Sequence, residues 1–330
     1  MQHREASDVW REKAQAYSAQ AWLERVFDLA MLSSTIVAPA GLLFALLQFK
    51  AGHGGWALLG LVFAGLGATG VYARLVEPFR LRVKRIELNP AHSLQAPAPQ
   101  AALRVVFFSD IHVGQAKRAG WTRRVVELVN AQQPDAVLMG GDFVADSGVS
   151  PDMLAPLGEL RARLGVFAIF GNHDYGMPGH DQTAMLQETF KRLNIRLLRN
   201  ECLMLDEHTQ LVGIDEYWGG YYDLEQAFGS CVPAAEVNGS APCRIVLGHN
   251  PDLMTKISEP ADLFLFGHSH GGQIHLPFVT RFAVPVDGDL YRGEHTVAQG
   301  RVYISNGCGE TSTPTRFGTP VEIVLITIQR

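Results

Sequence analysis

The chain has 330 residues, of which 47% are hydrophobic and 18% are charged, and its formal net charge is −5. Residues 1–90 carry 10 basic and 7 acidic side chains, whereas residues 91–330 carry 18 and 26, a local net charge of −8. This acidic balance argues against a nucleic-acid polymer as a partner, because such binding depends on basic side chains that neutralise phosphates. The length allows one large domain and an appendage.

Two long uncharged stretches lie near the N-terminus. They run from Leu29 to Phe49 and from Ala51 to Ala73, over 21 and 23 residues. Each is long enough to cross the hydrocarbon core of a bilayer, which takes roughly 20 helical residues. The alternatives are a buried helical hairpin and a cleaved signal peptide, although a signal peptide has a shorter apolar core. We predict a two-span hairpin in an anchor of residues 1–80, with an amphipathic helix over residues 1–25.

Basic side chains flank the outer ends of this hairpin. They are Arg4, Arg11, Lys13 and Arg25 before it, and Arg74, Arg80, Arg82, Lys84 and Arg85 after it. The turn between the two stretches has only Lys50. Because cytoplasmic segments carry the excess of Lys and Arg, we predict an inner (cytoplasmic) membrane protein whose main domain, residues 81–330, faces the cytoplasm.

The four cysteines are Cys202, Cys231, Cys243 and Cys308, and no two of them form a CxxC pair. A zinc ribbon or a redox motif is therefore not expected. We interpret the cysteines as free or buried thiols in a reducing compartment. A Cys231–Cys243 disulfide is the alternative.

Short apolar strands alternate with helical segments over residues 81–330. Strands are predicted at residues 81–88, 105–108, 136–139, 166–170, 195–198, 201–205, 210–214, 244–247, 262–266, 302–304 and 321–328, and helices at residues 121–131, 153–164 and 183–194. Residues 89–100, rich in Ala and Pro, are predicted to form a surface loop. This alternation is typical of a layered α/β protein, in which sites form at the carboxyl ends of strands.

Polar motifs follow five of the predicted strands. They are Asp110-x-His112, Gly141-Asp142, Gly171-Asn172-His173-Asp174, Gly248-His249 and Gly267-His268-Ser269-His270. A single histidine of this kind is usually an ordinary core or surface residue, but five motifs at matching strand ends indicate a metal site. Oxygen and imidazole ligands without a thiolate suit Mn, Fe, Zn or Mg. Seven candidate ligands, Asp110, His112, Asp142, Asn172, His249, His268 and His270, exceed the needs of one ion and predict two.

In this order the five motifs resemble the signature blocks of the calcineurin-like metallophosphoesterase superfamily, over about residues 81–330. The GHSHGGQIHLP run at residues 267–277 and the ending ISNG…PTRFGTPVEI resemble its bacterial membrane-anchored branch. Some members of that branch hydrolyse UDP-2,3-diacylglucosamine in lipid A synthesis. The resemblance implies an α/β fold, a four-layer α/β/β/α sandwich, and a hydrolase with two divalent ions, manganese being favoured over iron, zinc or magnesium.

The resemblance also implies roles for single residues. Asp110, His112, Asp142 and His270 would bind one ion, and Asp142, Asn172, His249 and His268 the other, with Asp142 bridging. His173 would face the phosphate as a catalytic residue, and Asp174 would hold its tautomer. Two such ions supply Lewis-acid activation of a phosphoester and of water.

Other polar residues carry weaker signals. Asn306 and Gln273 are candidate substrate contacts, as is Arg316, for which a salt bridge within the loop is the alternative. The segment Tyr217–Tyr222 is interpreted as a packed surface loop, with a wall of the substrate site as the alternative.

The predicted activity is hydrolysis of a phosphodiester or pyrophosphate bond in a lipid-linked substrate at the bilayer, such as UDP-2,3-diacylglucosamine. A general phosphodiesterase acting on soluble nucleotides or other phospholipids is the first alternative. The second is a non-catalytic membrane-bound sensor of metal or nucleotide, which would predict the loss of His173 or of a metal ligand.

Overall fold

The computed structural model describes residues 26–90 and 102–329, except residues 27, 115, 146–148, 178, 232–241, 283 and 312. The predicted amphipathic helix at residues 1–25 and most of the predicted loop at residues 89–100 lie outside these residues.

The two uncharged stretches form a helical hairpin, α1 (Asp28–Lys50) and α2 (Gly54–Leu75). The helices touch through small residues: a Cβ added to Gly67 would lie 2.4 Å from the backbone nitrogen of Ala38. Their apolar side chains remain outside any core, since only 17% and 28% of the most hydrophobic windows are buried. Both helices are long and apolar enough to cross a membrane. Their low burial contradicts the alternative of a hairpin buried in a core.

Twelve strands follow in the described part of the chain. They are β1 (Arg82–Leu88), β2 (Leu103–Phe108), β3 (Ala136–Met139), β4 (Gly165–Ala168), β5 (Arg196–Leu197), β6 (Glu201–Asp206), β7 (Thr209–Gly213), β8 (Cys243–Leu247), β9 (Leu263–Phe266), β10 (Gly293–Val297), β11 (Gly300–Ile304) and β12 (Glu322–Ile328). One sheet has the order β1-β12-β2-β3-β4-β5 and the other has the order β10-β11-β9-β8-β7-β6. The strands β2, β3 and β4 are parallel to one another, as are β7, β8 and β9.

The two sheets pack face to face and are covered by helices on their outer sides. Apolar side chains of both sheets, among them Val105, Leu138, Ile245 and Leu265, form one buried cluster. The helices α3 (Ala119–Ala131) and α4 (Thr183–Arg192) bury their apolar residues against the first sheet. The short helix α5 (Leu224–Gly229) and a 3₁₀ segment (Pro251–Thr255) cover the second. The predicted four-layer α/β/β/α architecture is confirmed.

One local prediction is wrong, and two short elements were not predicted. The helix predicted at residues 153–164 is wrong, because the chain forms two 3₁₀ segments instead, Pro151–Met153 and Ala155–Glu159. Pro156 lacks the amide hydrogen that a continuous α-helix needs there, and Gly158 weakens helix formation further. Neither α5 nor β10 was predicted, since each is too short to show a clear hydrophobic period.

The cysteine prediction holds for only two of the four residues. Cys243 and Cys308 are free and buried, as expected. Cys202 and Cys231 instead form a disulfide, which closes a 29-residue separation between β6 and the end of α5. The alternative Cys231–Cys243 pairing is therefore wrong. Neither the partner nor the pairing could be read from the spacing of the cysteines.

The base of the hairpin is bonded to the main domain. In α2, the carbonyl of Ala73 accepts from the backbone N–H of Arg316 at 2.9 Å, and Arg74 donates to the carbonyl of Pro314 at 2.7 Å. Arg74 also pairs with Asp28 of α1 at 3.0 Å. These contacts fix the end of α2 against the loop before β12. The division of the chain at residue 80 stays a prediction.

Candidate active site

The predicted ligands lie at the carboxyl ends of parallel strands from both sheets. Asp110 and His112 follow β2, Asp142 follows β3, and Asn172 follows β4. His249 follows β8, while His268 and His270 follow β9. Because the two sheets face each other, the loops at their common edge converge, and all seven side chains are buried. Sequence positions 160 residues apart thereby share one site.

One half of the site is built by Asp110, His112 and His270, whose ligand atoms lie within 4.8 Å of one another. The Nε2 atoms of His112 and His270 are 3.1 Å apart. Oδ1 of Asp110 lies 3.6 Å from Nε2 of His270. Oδ2 of Asp110 has no hydrogen-bond partner among the described residues, although it is buried. Such converging atoms with an unsatisfied carboxylate oxygen fit a divalent cation.

The other half combines Asp142, Asn172, His249 and His268. Oδ1 of Asn172 lies 3.1 Å from Nε2 of His249 and 2.8 Å from Nδ1 of His268. Oδ2 of Asp142 is 3.2 Å from Nε2 of His249 and 3.4 Å from Nε2 of His112, which belongs to the first half. A single carboxylate oxygen thus faces both halves, as the predicted bridging role of Asp142 requires. The assignment of these residues as ligands stays a prediction that the geometry supports.

Backbone carbonyls orient three of the four imidazoles. Nδ1 of His249 lies 2.8 Å from the carbonyl of Gly140, Nε2 of His268 lies 3.4 Å from that of Pro285, and Nδ1 of His270 lies 3.3 Å from that of Gly309. A carbonyl only accepts, so Nδ1 of His249 and Nε2 of His268 carry hydrogens, whereas Nδ1 of His270 also lies 3.3 Å from a guanidinium nitrogen of Arg316, which donates. The opposite nitrogens of His249 and His268 then direct lone pairs into the cluster. Metal-binding histidines usually donate the N–H of their other ring nitrogen to a carbonyl or carboxylate in this way.

The backbone is unusual at five of the seven positions. Asp110, His112, Asp142, His268 and His270 have φ between +44° and +68°, a region that side chains other than glycine rarely adopt. Such conformations persist only where surrounding contacts impose them, and they cluster at functional sites. Space for the carboxylates also depends on glycine. A Cβ added to Gly171 would lie 2.2 Å from Oδ1 of Asp142, and one added to Gly267 would lie 2.2 Å from Oδ2 of Asp110.

The electrostatics of the cluster attract positive charge. Burial alone would raise the pKa of Asp142, but the surrounding imidazoles, chiefly His249, hold that pKa well below its usual range. Against the effect of burial, Asp142 in turn raises the pKa of His249 to about 10. Burial and neighbouring imidazoles lower the pKa values of His268 and His270. The site therefore combines an ionised Asp142 with uncharged His268 and His270, whereas Asp142 favours the protonated form of His249, which would release its proton on binding a metal.

His173 lies beside the cluster. Its ring meets that of His112 edge to face at 4.8 Å, and its ligand atom lies within 4.8 Å of those of His112 and Asp142. Nδ1 donates to the carbonyl of Ala145 at 3.2 Å, which leaves Nε2 for a substrate. Burial lowers the pKa of His173 to about 4, so the imidazole is uncharged at neutral pH until an anion approaches it.

Both carboxylate oxygens of Asp174 accept backbone N–H groups, and no hydrogen bond joins them to the ring of His173 among the described contacts, so the geometry does not support the predicted orienting role. Oδ1 of Asp174 accepts from the N–H groups of Phe143 and Val144 at 2.9 and 3.4 Å. Its Oδ2 accepts from those of Asp142 and Gly171, both at 2.9 Å. Asp174 thus ties the loop after β3 to the loop after β4. The tautomer of His173 is set by Ala145 instead, a contact that sequence spacing gives no means to predict.

Arg316 and its neighbours form a support behind His270. The Arg316 side chain is fully buried and bonds Glu310 at 3.1 Å and the carbonyls of Thr319 and Asn306 at 2.9 and 2.7 Å. One guanidinium nitrogen lies 3.3 Å from Nδ1 of His270. These contacts indicate that Arg316 positions His270 and forms the ion pair within its loop, rather than contacting a substrate phosphate.

The other two candidate substrate contacts also bond within these loops. Oε1 of Gln273 accepts from the N–H of Thr311 at 2.6 Å, and Nδ2 of Asn306 donates to the carbonyl of Pro320 at 3.4 Å. Their predicted roles remain untested.

The aromatic segment is largely a packed loop beside the site. Trp218 is buried and its ring contacts that of His268 edge to face at 4.4 Å. Glu216 accepts from the N–H groups of Trp218 and Gly219 at 2.8 and 2.6 Å. Trp218 and Glu216 therefore shape the surroundings of His268, a role that the sequence signalled only through its aromatic content.

A protein with this sandwich and this cluster of carboxylates and imidazoles is a metal-dependent phosphoesterase. A family profile described as "Calcineurin-like phosphoesterase" matches residues 103–272, and the chain belongs to this family. "Phosphodiesterase YaeI" of Escherichia coli is 31% identical over 219 residues, 63% of this chain and 76% of YaeI. "UDP-2,3-diacylglucosamine pyrophosphatase LpxG" of Chlamydia trachomatis is 28% identical over 327 residues, 82% of this chain and 96% of LpxG.

A vertebrate relative also matches. The "Transmembrane protein with metallophosphoesterase domain" of Bos taurus is 31% identical over 265 residues, which are 73% of this chain and 55% of that protein. Membrane association is thus found among the relatives as well as indicated by the two apolar helices of this chain.

Proposed function

We propose that this protein hydrolyses a phosphodiester or pyrophosphate bond in a membrane-lipid precursor such as UDP-2,3-diacylglucosamine, with two divalent ions, manganese being favoured. The observation that carries the proposal is the shared position of Asp142 Oδ2, within 3.4 Å of imidazoles from both halves of the site. Similarity to LpxG supports the substrate, and the apolar hairpin supports a substrate that resides in a bilayer.

The residues of the chain divide the chemistry between them. The seven candidate ligands described above would hold two cations, which supply Lewis-acid activation of the phosphoester and of water. Because Nδ1 of His173 donates to Ala145, its Nε2 would take a proton from solvent as the anionic phosphate binds and would pass that proton to the leaving-group oxygen. The negative charge of the phosphate would favour the proton on that ring. Asp174 would hold the loop after β3 and the loop after β4 in a fixed position relative to each other.

The second candidate function is a general phosphodiesterase acting on soluble nucleotides or other phospholipids. The printed name of YaeI favours it, and one metal core supports many substrates.

To separate the two candidates, we would incubate the detergent-solubilised chain with Mn²⁺ and UDP-2,3-diacylglucosamine and follow UMP by mass spectrometry. Asp142→Ala serves as the inactive control. UMP released only by the unaltered chain supports the lipid-precursor substrate. Cleavage of an aryl phosphodiester without release of UMP would refute that substrate and favour the second candidate.

We further propose that the protein lies in the inner membrane with the catalytic domain in the cytoplasm. The basic residues at both outer ends of the hairpin support this orientation. The Cys202–Cys231 disulfide argues against it, since disulfides are typical of oxidising compartments. Labelling of Glu207→Cys with a membrane-impermeant maleimide decides between them. Reaction in inverted vesicles but not in intact cells is expected, and reaction in intact cells would place the domain outside.

A further inference from the structure

A short loop beside the candidate active site exposes three apolar side chains, Leu276, Phe278 and Val279, which we call the apolar tip. Their exposed fractions are 47%, 93% and 57%. Among the described residues beyond Phe79, the only other exposed large hydrophobic side chain is that of Tyr221, at 40%. A cluster of exposed apolar side chains on an otherwise polar surface indicates a contact surface.

The loop holds the tip outward through its own hydrogen bonds. The hydroxyl of Thr280 donates to the carbonyl of Ile274 at 2.9 Å and accepts from the N–H of Leu276 at 2.7 Å. Phe278 adopts a φ of +67°, which is disfavoured for a bulky residue. Its ring gains almost no contact with the chain in return. A disfavoured backbone that presents an apolar ring to the outside points to a partner for that ring.

The tip lies close to the end of the membrane hairpin. Its loop begins with the pairing of Ile274 with Phe317, and the N–H of His275 donates to the carbonyl of Phe317 at 2.7 Å. The preceding residue, Arg316, donates its backbone N–H to Ala73 in the last turn of α2 at 2.9 Å. One short segment therefore contacts the membrane helix on one side and the base of the loop on the other. The apolar tip therefore lies on the side of the main domain that bonds the end of α2.

The charge at this level also fits a lipid surface. The side chains of Arg80, Arg82, Lys84 and Arg85, which follow the hairpin, are exposed. Basic residues next to a membrane span attract anionic headgroups. An apolar loop combined with a basic segment next to a membrane span is a combination by which proteins bind the interfacial region of a bilayer.

We propose that the apolar tip enters the interfacial region of the bilayer that holds the hairpin, and so keeps the active site at the lipid surface. The candidate ligand His270 lies four residues before Ile274 in the chain. A phosphoester in a lipid headgroup would therefore reach the ligands without leaving the membrane surface. The proposal rests on the membrane-spanning hairpin of the proposed function, but not on the identity of the substrate.

A fluorescence experiment tests the contact without reference to activity. The full chain carrying Phe278→Cys is labelled with an environment-sensitive fluorophore and reconstituted into phosphatidylcholine–phosphatidylglycerol vesicles that contain acyl-brominated phosphatidylcholine. The matched control is Glu207→Cys, in the exposed turn between β6 and β7 at the opposite edge of the sheet. The labelled unaltered chain gives the background of the native cysteines. Strong quenching at position 278 alone is expected, whereas equal quenching at both positions would overturn the proposal.

Activity measurements separate the membrane contact from a structural role of Phe278. Phe278→Gly suits the positive φ, so its melting temperature should not fall. We expect Phe278→Gly and Phe278→Asp to hydrolyse UDP-2,3-diacylglucosamine in vesicles about tenfold more slowly, equivalent to about 1.4 kcal/mol, and a soluble aryl phosphodiester at an unchanged rate. An equal loss on both substrates, or no loss on vesicles, would overturn the proposal. If the unaltered chain cleaves neither substrate, the proposed function fails while the quenching still decides the contact.

Discussion

Replacing Asp174 by Asn should disconnect the two loops that hold the ligands of the active site. Each carboxylate oxygen of Asp174 accepts two backbone N–H groups. The amide nitrogen of Asn donates, so whichever oxygen it replaces, two buried N–H groups lose their acceptor. A buried group left unsatisfied costs about 1–3 kcal/mol, so the free energy of unfolding should fall by about 2–6 kcal/mol.

This loss should be visible in both stability and metal content. For a domain of this size, 1 kcal/mol shifts the melting temperature by roughly 2–4 °C, so Asp174→Asn should melt between about 4 and 24 °C lower. Displacement of Asp142, whose own N–H is one of the two donors to Oδ2, should weaken metal binding. The assays are thermal unfolding in detergent and elemental analysis after dialysis against Mn²⁺.

Asp135→Asn is the matched control. Asp135 also accepts a backbone N–H, that of Arg104 at 2.9 Å, but it is partly exposed and lies at the opposite edge of the same sheet. Its pair with Arg163 is exposed and contributes little, so the change should cost at most about 1 kcal/mol and leave the metal content unchanged. The reasoning about the loops is refuted if Asp174→Asn keeps two ions and melts within about 2 °C of this control.

Three further predictions follow from the same contacts. His173→Ala should keep both ions in elemental analysis yet lose a factor of about 10²–10⁴ in kcat, and loss of metal would contradict its placement outside the ligand set. Asp142→Ala should lose both the ions and the rate, and a variant that retains two ions would disprove bridging. Burial lowers the pKa of Lys117 to about 8 from an ordinary 10.5. Between these pH values the unfolded chain binds more protons than the folded chain, so the free energy of unfolding should rise with pH, by up to about 3 kcal/mol. In Lys117→Met this rise in melting temperature between pH 8 and 10.5 should be smaller, and equal curves for both proteins would reject the buried lysine as its cause.

The ligand motifs were predictable because each depends on local sequence. A run such as Val105–Phe108 predicts a buried strand because it is too short for a helix, and the polar residues after it are then expected at the strand end. Once the strands are parallel, their ends share an edge, and Asp110, Asp142 and Asn172 become neighbours without any long-range information. The hairpin of two long apolar helices was predictable for the same reason, since length and lack of charge suffice to recognise it.

The supports of the site were not predictable, because they depend on the approach of distant loops. Lys117 bonds Glu310 across 193 residues of sequence, at 3.0 Å, and also the carbonyls of Pro78 and Cys308. Nothing in the local pattern around Lys117 distinguishes it from a surface lysine. The same holds for the disulfide of Cys202, whose partner follows an unpredicted helix.

These supports explain how the strained ligand residues are held. Oδ1 of Asp110 accepts from the N–H of His268 at 2.9 Å, and Oδ1 of Asp142 accepts from that of His173 at 2.9 Å. Each carboxylate therefore uses one oxygen to tie its loop to another strand end and leaves Oδ2 for a cation. A conformation that costs energy in one loop is thus fixed by a bond from its neighbour. If this is correct, the ligand geometry is largely formed before metal binds, because the bonds that impose it are between protein groups.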